Sequence, residues 1–370
     1  METDKASFSN LTAKPPLPPG GPLLARFWKA FWPVAARAGA SALLLGLWLH
    51  FSSIDARQVF RALLSVPGLA LLGALAAGIC ATCAAAVKYL LLLRAQQVSI
   101  GLLRVWQFNC IASFYGLVLP GSESGNAVKA LLLGRASRRS AGVWAATLAD
   151  QLNLLLAFAL LAFLGVAFIA SDTQLAGRGV WIAGAGLALA GTLALHALFL
   201  APPFAAFIQR LLRPISRLAH WRSKRPSPRA STQEEGWLAR FWTGLASYQQ
   251  HVPTLAICLF FSACYQGLLV LAAYQFTLGL GIQVAYPNLL WIMTLVSTSQ
   301  ALPITFAGIG VRDVALTFLL GGLGVPGASA IALSFAVLAL NVTLGLPGSV
   351  LQIFLPSAPP PDEAAQPQPA

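Results

Sequence analysis

The chain has 370 residues, of which 57% are hydrophobic and only 9% charged, and its mean hydropathy is +0.73. A soluble domain carries about 25% charged residues, so one water-soluble core is excluded and the bilayer is the expected solvent. The net charge of +13 reads as positive-inside bias and attraction to anionic headgroups, not as nucleic-acid binding, because the basic residues cluster in loops beside apolar spans.

The N-terminal arm, residues 1–32, opens on "METDKASFSNLTAKPPLPPGGP", polar and rich in proline, and is expected to be disordered. The apolar run 33–52 comes too late and too long for a signal peptide and reads as a first membrane anchor. Further apolar stretches long enough to cross a bilayer lie at 67–93, 141–170, 179–201, 253–278 and 326–355. Between them, 202–252 forms a basic loop. In it 203–222 alternates apolar and basic residues at helical spacing, as does 237–248, so both are expected to rest on an anionic leaflet, with a flexible "RSKRPSPRASTQEE" between them. The tail 356–370 is rich in Pro and Ala and is expected to be disordered; the folded part is one transmembrane domain over 33–355.

Two apolar stretches do not read as plain spans. Residues 105–133 are interrupted at Leu119-Pro120-Gly121, and 287–321 from Leu302-Pro303 to Arg312-Asp313. Most of the Lys and Arg residues lie in the arm, in 88–104 (Lys88, Arg94, Arg104), in 135–139 and in 202–252. This distribution puts the N-terminus and those segments in the cytoplasm. Residues 105–133 must then enter from the cytoplasm and return to it, a re-entrant hairpin. The second broken stretch starts from the uncharged "GLGIQVAYP" on the other side. The fold expected is therefore an all-α polytopic membrane protein, an inverted repeat with two re-entrant broken-helix hairpins entering from opposite faces, plus an amphipathic cytoplasmic segment. Such repeats place a site where the breaks meet, near the midplane.

Broken backbone is tolerated at membrane depth only against protein or a wet cavity. The breaks at Pro120 and Pro303 therefore predict a polar pocket. A helix restarts after each, near Gly125-Asn126 and Gly308 to Gly310, and its free amides and positive dipole end suit an anion. Lys129 and Arg312 fall within about one turn of these starts and would hold a lipid phosphate together. Glu123, Asp150 and Asp313 are costly at this depth and join the candidate site. Arg312 and Asp313, as neighbours on a helix, point about 100° apart and need not pair; Glu123 is the partner considered for Arg312. Structural ion pairs or caps are the rival reading for each of these charges. The four histidines show no metal-ligand spacing and no catalytic triad pattern, so neither a metal nor a cofactor is expected.

At these residues the chain resembles the membrane domain of the lysylphosphatidylglycerol synthases, a flippase-like family. Its pattern is roughly L-P-G, then G-G-D-x-x-R, a D-R pair in the next helix, and P-x-x-x-G-G-x-G-x-R-E in the second half. The second motif here is "LPITFAGIGVRDVALTFLLGGLGVP", with Arg312 and Asp313 at the R-E positions. The first is "LPGSESGNAVKA", where Ser124, Asn126 and Lys129 replace glycine, aspartate and arginine; Asp150 is kept and Gln151 replaces arginine. The resemblance covers about 33–355 and implies lipid translocation between leaflets. After Leu355 only the short tail follows, so it implies a stand-alone transporter without aminoacyl transfer, in a bacterial inner membrane. Membrane lipids, with a phosphate-bearing headgroup, are the expected partners, and a homo-oligomer is open. The rivals are a membrane transferase on a lipid-linked substrate, with Glu123 or Asp150 as base, and a non-transporting scaffold for hopanoid or glycolipid synthesis enzymes.

Overall fold

The computed structural model describes residues 56–119, 124–169, 178–200, 228–300 and 311–354, and among them there is no β-strand. In chain order the helices are α1 Ala56–Leu64, α2 Gly68–Ala95, α3 Leu102–Val118, α4 Ser124–Ser137, α5 Ser140–Leu164 with a π turn Gly165–Ile169, and α6 Arg178–Leu200. Then come α7 Pro228–Ser247 with a 3-10 turn Tyr248–Gln250, α8 Val252–Gly279, α9 Tyr286–Gln300, α10 Val311–Gly321 and α11 Gly327–Phe354. Five of these helices, α2, α5, α6, α8 and α11, are long and apolar enough to cross a bilayer and match five of the six expected spans. The expected anchor 33–52, the amphipathic 203–222, Pro120, Glu123, Pro303, Gly308 and Gly310 lie outside the described residues.

Local chemistry sets the helix ends. Pro67 precedes α2 and Pro253 sits in the first turn of α8, where a missing N–H costs nothing. Both α2 and α4 stop at a residue in the left-handed region, Gln97 and Arg138, each at φ 55°. The two ends meet, because Arg139 Nη1 donates to the Gln97 carbonyl at 2.8 Å. After α10 the turn passes through Gly324 at φ 81°, which a side chain would disfavour.

The packing follows a pairing pattern. Helix α2 lies along α8. The first arm α3 packs on its companion α4 and on the distant α11, while the arm α9 packs on α10 and on the distant α5. Two glycines make those long-range contacts possible. A Cβ on Gly348 of α11 would sit 2.1 Å from the Cys110 carbonyl oxygen of α3, and one on Gly165 would sit 2.1 Å from Cβ of Trp291 on α9. Two apolar cores result. One is built around α9, with Trp291, Leu316 and Leu320 buried; the other lies between α2, α3, α4 and α5, with Tyr89, Leu92, Phe108 and Leu133 buried. Outside, Leu72, Leu187, Phe260 and Val350 are exposed, while Lys88, Lys129, Asp150, Arg312 and Asp313 are buried. Apolar groups outside and charges inside suit lipid as the solvent.

Two expectations about the basic segments need correction. Lys88 is not in a cytoplasmic loop: α2 runs on to Ala95 and buries it, because the apolar run "YLLLLRA" continues the helix beyond it. The stretch "RSKRPSPRASTQEE", expected to be flexible, is helical from Pro228 onward. Residues 228–247 form α7, which packs on α5. Trp237 Nε1 donates to Ser140 Oγ at 3.0 Å, Gln96 Nε2 donates to the Gly244 carbonyl at 2.7 Å, and the buried Tyr248 hydroxyl donates to the Leu92 carbonyl at 2.8 Å. Its aromatic residues therefore grip the ends of α2 and α5 instead of only lying on a leaflet. Burial pushes the Tyr248 phenol well above its ordinary range, so it stays a neutral donor.

Candidate functional site

Helices from both halves of the chain build a cavity of about 350 Å³ with polar and apolar walls. Helices α2, α3, α4, α5, α8 and α11 all contribute to its wall, through residues such as Thr82, Asn109, Asn126, Asp150, Tyr265 and Asn341. Gly125 also lines it. A Cβ there would sit 2.0 Å from the Ala112 carbonyl oxygen, so only glycine lets the start of α4 lie this close to α3.

Charge is concentrated on one wall. Asp150 Oδ1 of α5 forms an ion pair with Lys88 Nζ of α2 at 2.8 Å, and Lys129 Nζ of α4 lies 3.8 Å from its other oxygen. All three side chains line the cavity and are at least nine-tenths buried. Lys129 also stands 4.0 Å above the centre of the Tyr89 ring, a cation–π contact. The Tyr89 hydroxyl is 2.8 Å from Thr147 Oγ1, and Thr147 donates on to the Val143 carbonyl. The ring under Lys129 is thus held by α5, the helix that also carries Asp150. One carboxylate thus faces two ammonium groups, Lys88 nearer and Lys129 farther, at the wall of the cavity.

Of the candidate site residues, the structure brings Gly125, Asn126, Lys129 and Asp150 to this cavity. Arg312 and Asp313 do not line it. They pair with each other: Arg312 Nη2 donates to Asp313 Oδ1 at 3.0 Å, Arg312 Nε donates to Ser334 Oγ at 2.7 Å, and the Ser334 hydroxyl donates to Asp313. Neighbouring positions on a helix need not pair, but these two do. A backbone angle of about 100° is bridged by the long arginine side chain, and Ser334 of α11 fastens both. The joint clamp of Lys129 and Arg312 is therefore not what lines this cavity, and the second ammonium beside Lys129 is Lys88.

Lys88 is the residue that sequence reasoning misplaced. The signal was present: a lone lysine between "GICATCAAAV" and "YLLLL" is too deep in an apolar run to be a loop residue, and intramembrane cations point to a site. The uncharged members of the wall were also passed over. Asn109 and Asn341, like Gln151, line the cavity, but an isolated carboxamide in an apolar helix has no pattern of its own.

No curated protein and no solved structure matches the chain. Over residues 34–348 it matches the family described as the lysylphosphatidylglycerol synthase TM region, and since that stretch is most of the chain, the protein belongs to this family and, with its apolar helices, is an integral membrane protein of a lipid-handling kind.

Proposed function

We propose that the protein is a lipid transporter that moves a polar-headed lipid between leaflets, with the headgroup in the cavity beside Lys88, Lys129 and Asp150. The observation that carries this reading is the cavity itself. A polar hollow with three buried charges, enclosed by helices whose outer faces are apolar, suits a molecule that is itself polar at one end and apolar at the other. Family membership supports it, because the family's named member handles a phospholipid.

The inverted repeat belongs to this proposal. Its support is the reciprocal pairing of α3 with α11 and of α9 with α5. Re-entry of the first hairpin is supported by the Arg139 to Gln97 bond, which joins the entry and exit of α3 and α4. For the second, Leu280 after α8 packs with Ile331 and Ala328 at the start of α11. In this reading, supported by the Lys and Arg distribution, the N-terminus and α7 belong to the cytoplasmic side of a bacterial inner membrane, against its anionic leaflet. Transport is favoured over a transferase reaction because Asp150 is held in an ion pair with Lys88 at 2.8 Å.

The test is a leaflet-specific lipid accessibility assay in proteoliposomes. Lys129→Ala leaves Lys88 to neutralise Asp150, so the variant is expected to fold and to flip lipid about tenfold more slowly, the equivalent of one lost charge-assisted contact of ~1.4 kcal/mol. Flipping at the wild-type rate by a folded Lys129→Ala protein would remove this site from the mechanism.

A further inference from the structure

We propose that the headgroup accepted by this cavity is uncharged and rich in hydroxyls, a sugar or polyol carried on a lipid; the inference rests on the transport reading above. It starts from three carboxamides. Asn109 of α3, Gln151 of α5 and Asn341 of α11 line the cavity, and none of their side chains makes a hydrogen bond among the described residues. The hydroxyls on the same wall are used locally: Thr82 Oγ1 donates to the Ile79 carbonyl and accepts from Trp106 Nε1, and Ser113 donates to the Asn109 carbonyl. The carboxamides of half-buried Asn109 and Gln151 and of exposed Asn341 thus offer donors and acceptors to one hollow from three separate helices.

Their chemistry selects among headgroups. A carboxamide places a donor and an acceptor side by side, and a hydroxyl is likewise both donor and acceptor. Neighbouring hydroxyls on a ring use both ends of each amide. A phosphate monoester offers acceptors only, so it would leave the carboxamide oxygens facing oxygens. The carboxylate of Asp150, drawn to Lys88 on one oxygen and facing Lys129 on the other, would also repel an anion that came deeper than Lys129. Lys88 and Asp150 together present one donor group and one acceptor group, a further match for a hydroxyl, and Tyr265 adds an aromatic wall for the apolar face of a ring. A volume of about 350 Å³ lies at the small end of ligand sites, suited to a single-ring headgroup.

The experiment uses the full chain in nanodiscs free of glycoside detergent. Monoglucosyl diacylglycerol and phosphatidic acid of the same acyl composition are titrated and read by native mass spectrometry, with free glucose as a third probe. The glucolipid is expected to bind about tenfold tighter than phosphatidic acid. In Gln151→Leu/Asn341→Leu its affinity is expected to fall about tenfold while that for phosphatidic acid is unchanged, which also shows that the variant is folded. Phosphatidic acid binding as tightly as the glucolipid overturns the proposal, as does glucolipid binding indifferent to the double substitution. Free glucose binding as tightly as the glucolipid overturns the lipid assignment. Flipping of phosphatidic acid that depends on Lys129 but not on the carboxamides leaves transport standing and this inference refuted; no flipping of any lipid sinks the transport reading itself.

Discussion

The helix pairs α3–α4 and α9–α10 and their neighbours carry charge in opposite ways. In the second half Arg312, Asp313 and Ser334 close on one another, with Arg312 and Asp313 nearly inaccessible. In the first half Lys88, Lys129 and Asp150 come from three helices and line a cavity. The places of these groups along their helices show the difference. Asn126 stands as far from the start of α4 as Asp313 from the start of α10, and Thr147 as far from the start of α5 as Ser334 from that of α11. Where the second half has a carboxylate on the hairpin and a hydroxyl to bind it, the first half has an amide on the hairpin. Its carboxylate sits on the next helix and its hydroxyl is turned to Tyr89. Moving one carboxylate from hairpin to helix leaves the hairpin lysine at the edge of a hollow instead of inside a closed knot.

Removing each carboxylate sharpens that contrast most. Asp313→Ala strands Arg312 in a site that does not open on the cavity, and breaking a buried pair from one side costs about 3–5 kcal/mol. Asp150→Ala strands two lysines, but both line the cavity, where water replaces part of what is lost. The thermal midpoint of the purified protein is therefore expected to drop further for Asp313→Ala than for Asp150→Ala, whereas lipid flipping in folded protein suffers more from Asp150→Ala. Equal drops in the midpoint would mean that the first-half charges are as closed as the second-half ones.

A smaller effect is expected where the halves hold each other. Gly348→Ala and Gly165→Ala each force a Cβ into space already filled, by the Cys110 carbonyl and by Trp291, and overpacking of this kind costs about 1–3 kcal/mol. Gly68→Ala, with nothing within 4 Å of the added carbon, is the control. If the reciprocal contacts are equivalent, both substitutions lower the melting temperature by similar amounts and the control leaves it alone. A large drop from one and none from the other would break the symmetry of the scaffold as well as of the charges.

The sequence showed the scaffold more plainly than the site, for a physical reason. Apolar length and Leu-Pro breaks are properties of one segment, so five spans and the break after Leu119 could be read where they stand. Asp150, Lys129, Asn126 and Gly125 were legible because charge and special backbone are costly inside an apolar run. What could not be read were pairings across the fold. Lys88 was counted with the cytoplasmic basic residues although the span expected at 67–93 held it, and its pairing with Asp150 on α5 was not legible; Arg312 looked available, but Ser334, on another helix, fastens it to Asp313. The departures from the family pattern were visible, but their meaning was not: Asn126 and Gln151 both line the cavity, so each replaces a charge with an amide in the same hollow.

The least costly substitution bears on the cap, which belongs to the first half alone among the described contacts of α7. That helix touches α5 and α6, and its side-chain bonds run to Ser140 and, from Gln96, back to Gly244. Trp237 stacks on Phe241 with ring centres 5.7 Å apart. Trp237→Phe keeps an aromatic ring in that stack and deletes only the 3.0 Å bond to Ser140. A loss of about 1 kcal/mol is expected for one such bond, with hydrogen exchange faster in α7 and unchanged in α9 and α10. If α7 exchanged no faster, its hold on the bundle would rest on the apolar side of Phe241 and Trp242 instead of on its bonds to the ends of α2 and α5. The first half would then be capped by packing alone, and its hairpin would be free to move against that cap without breaking a hydrogen bond.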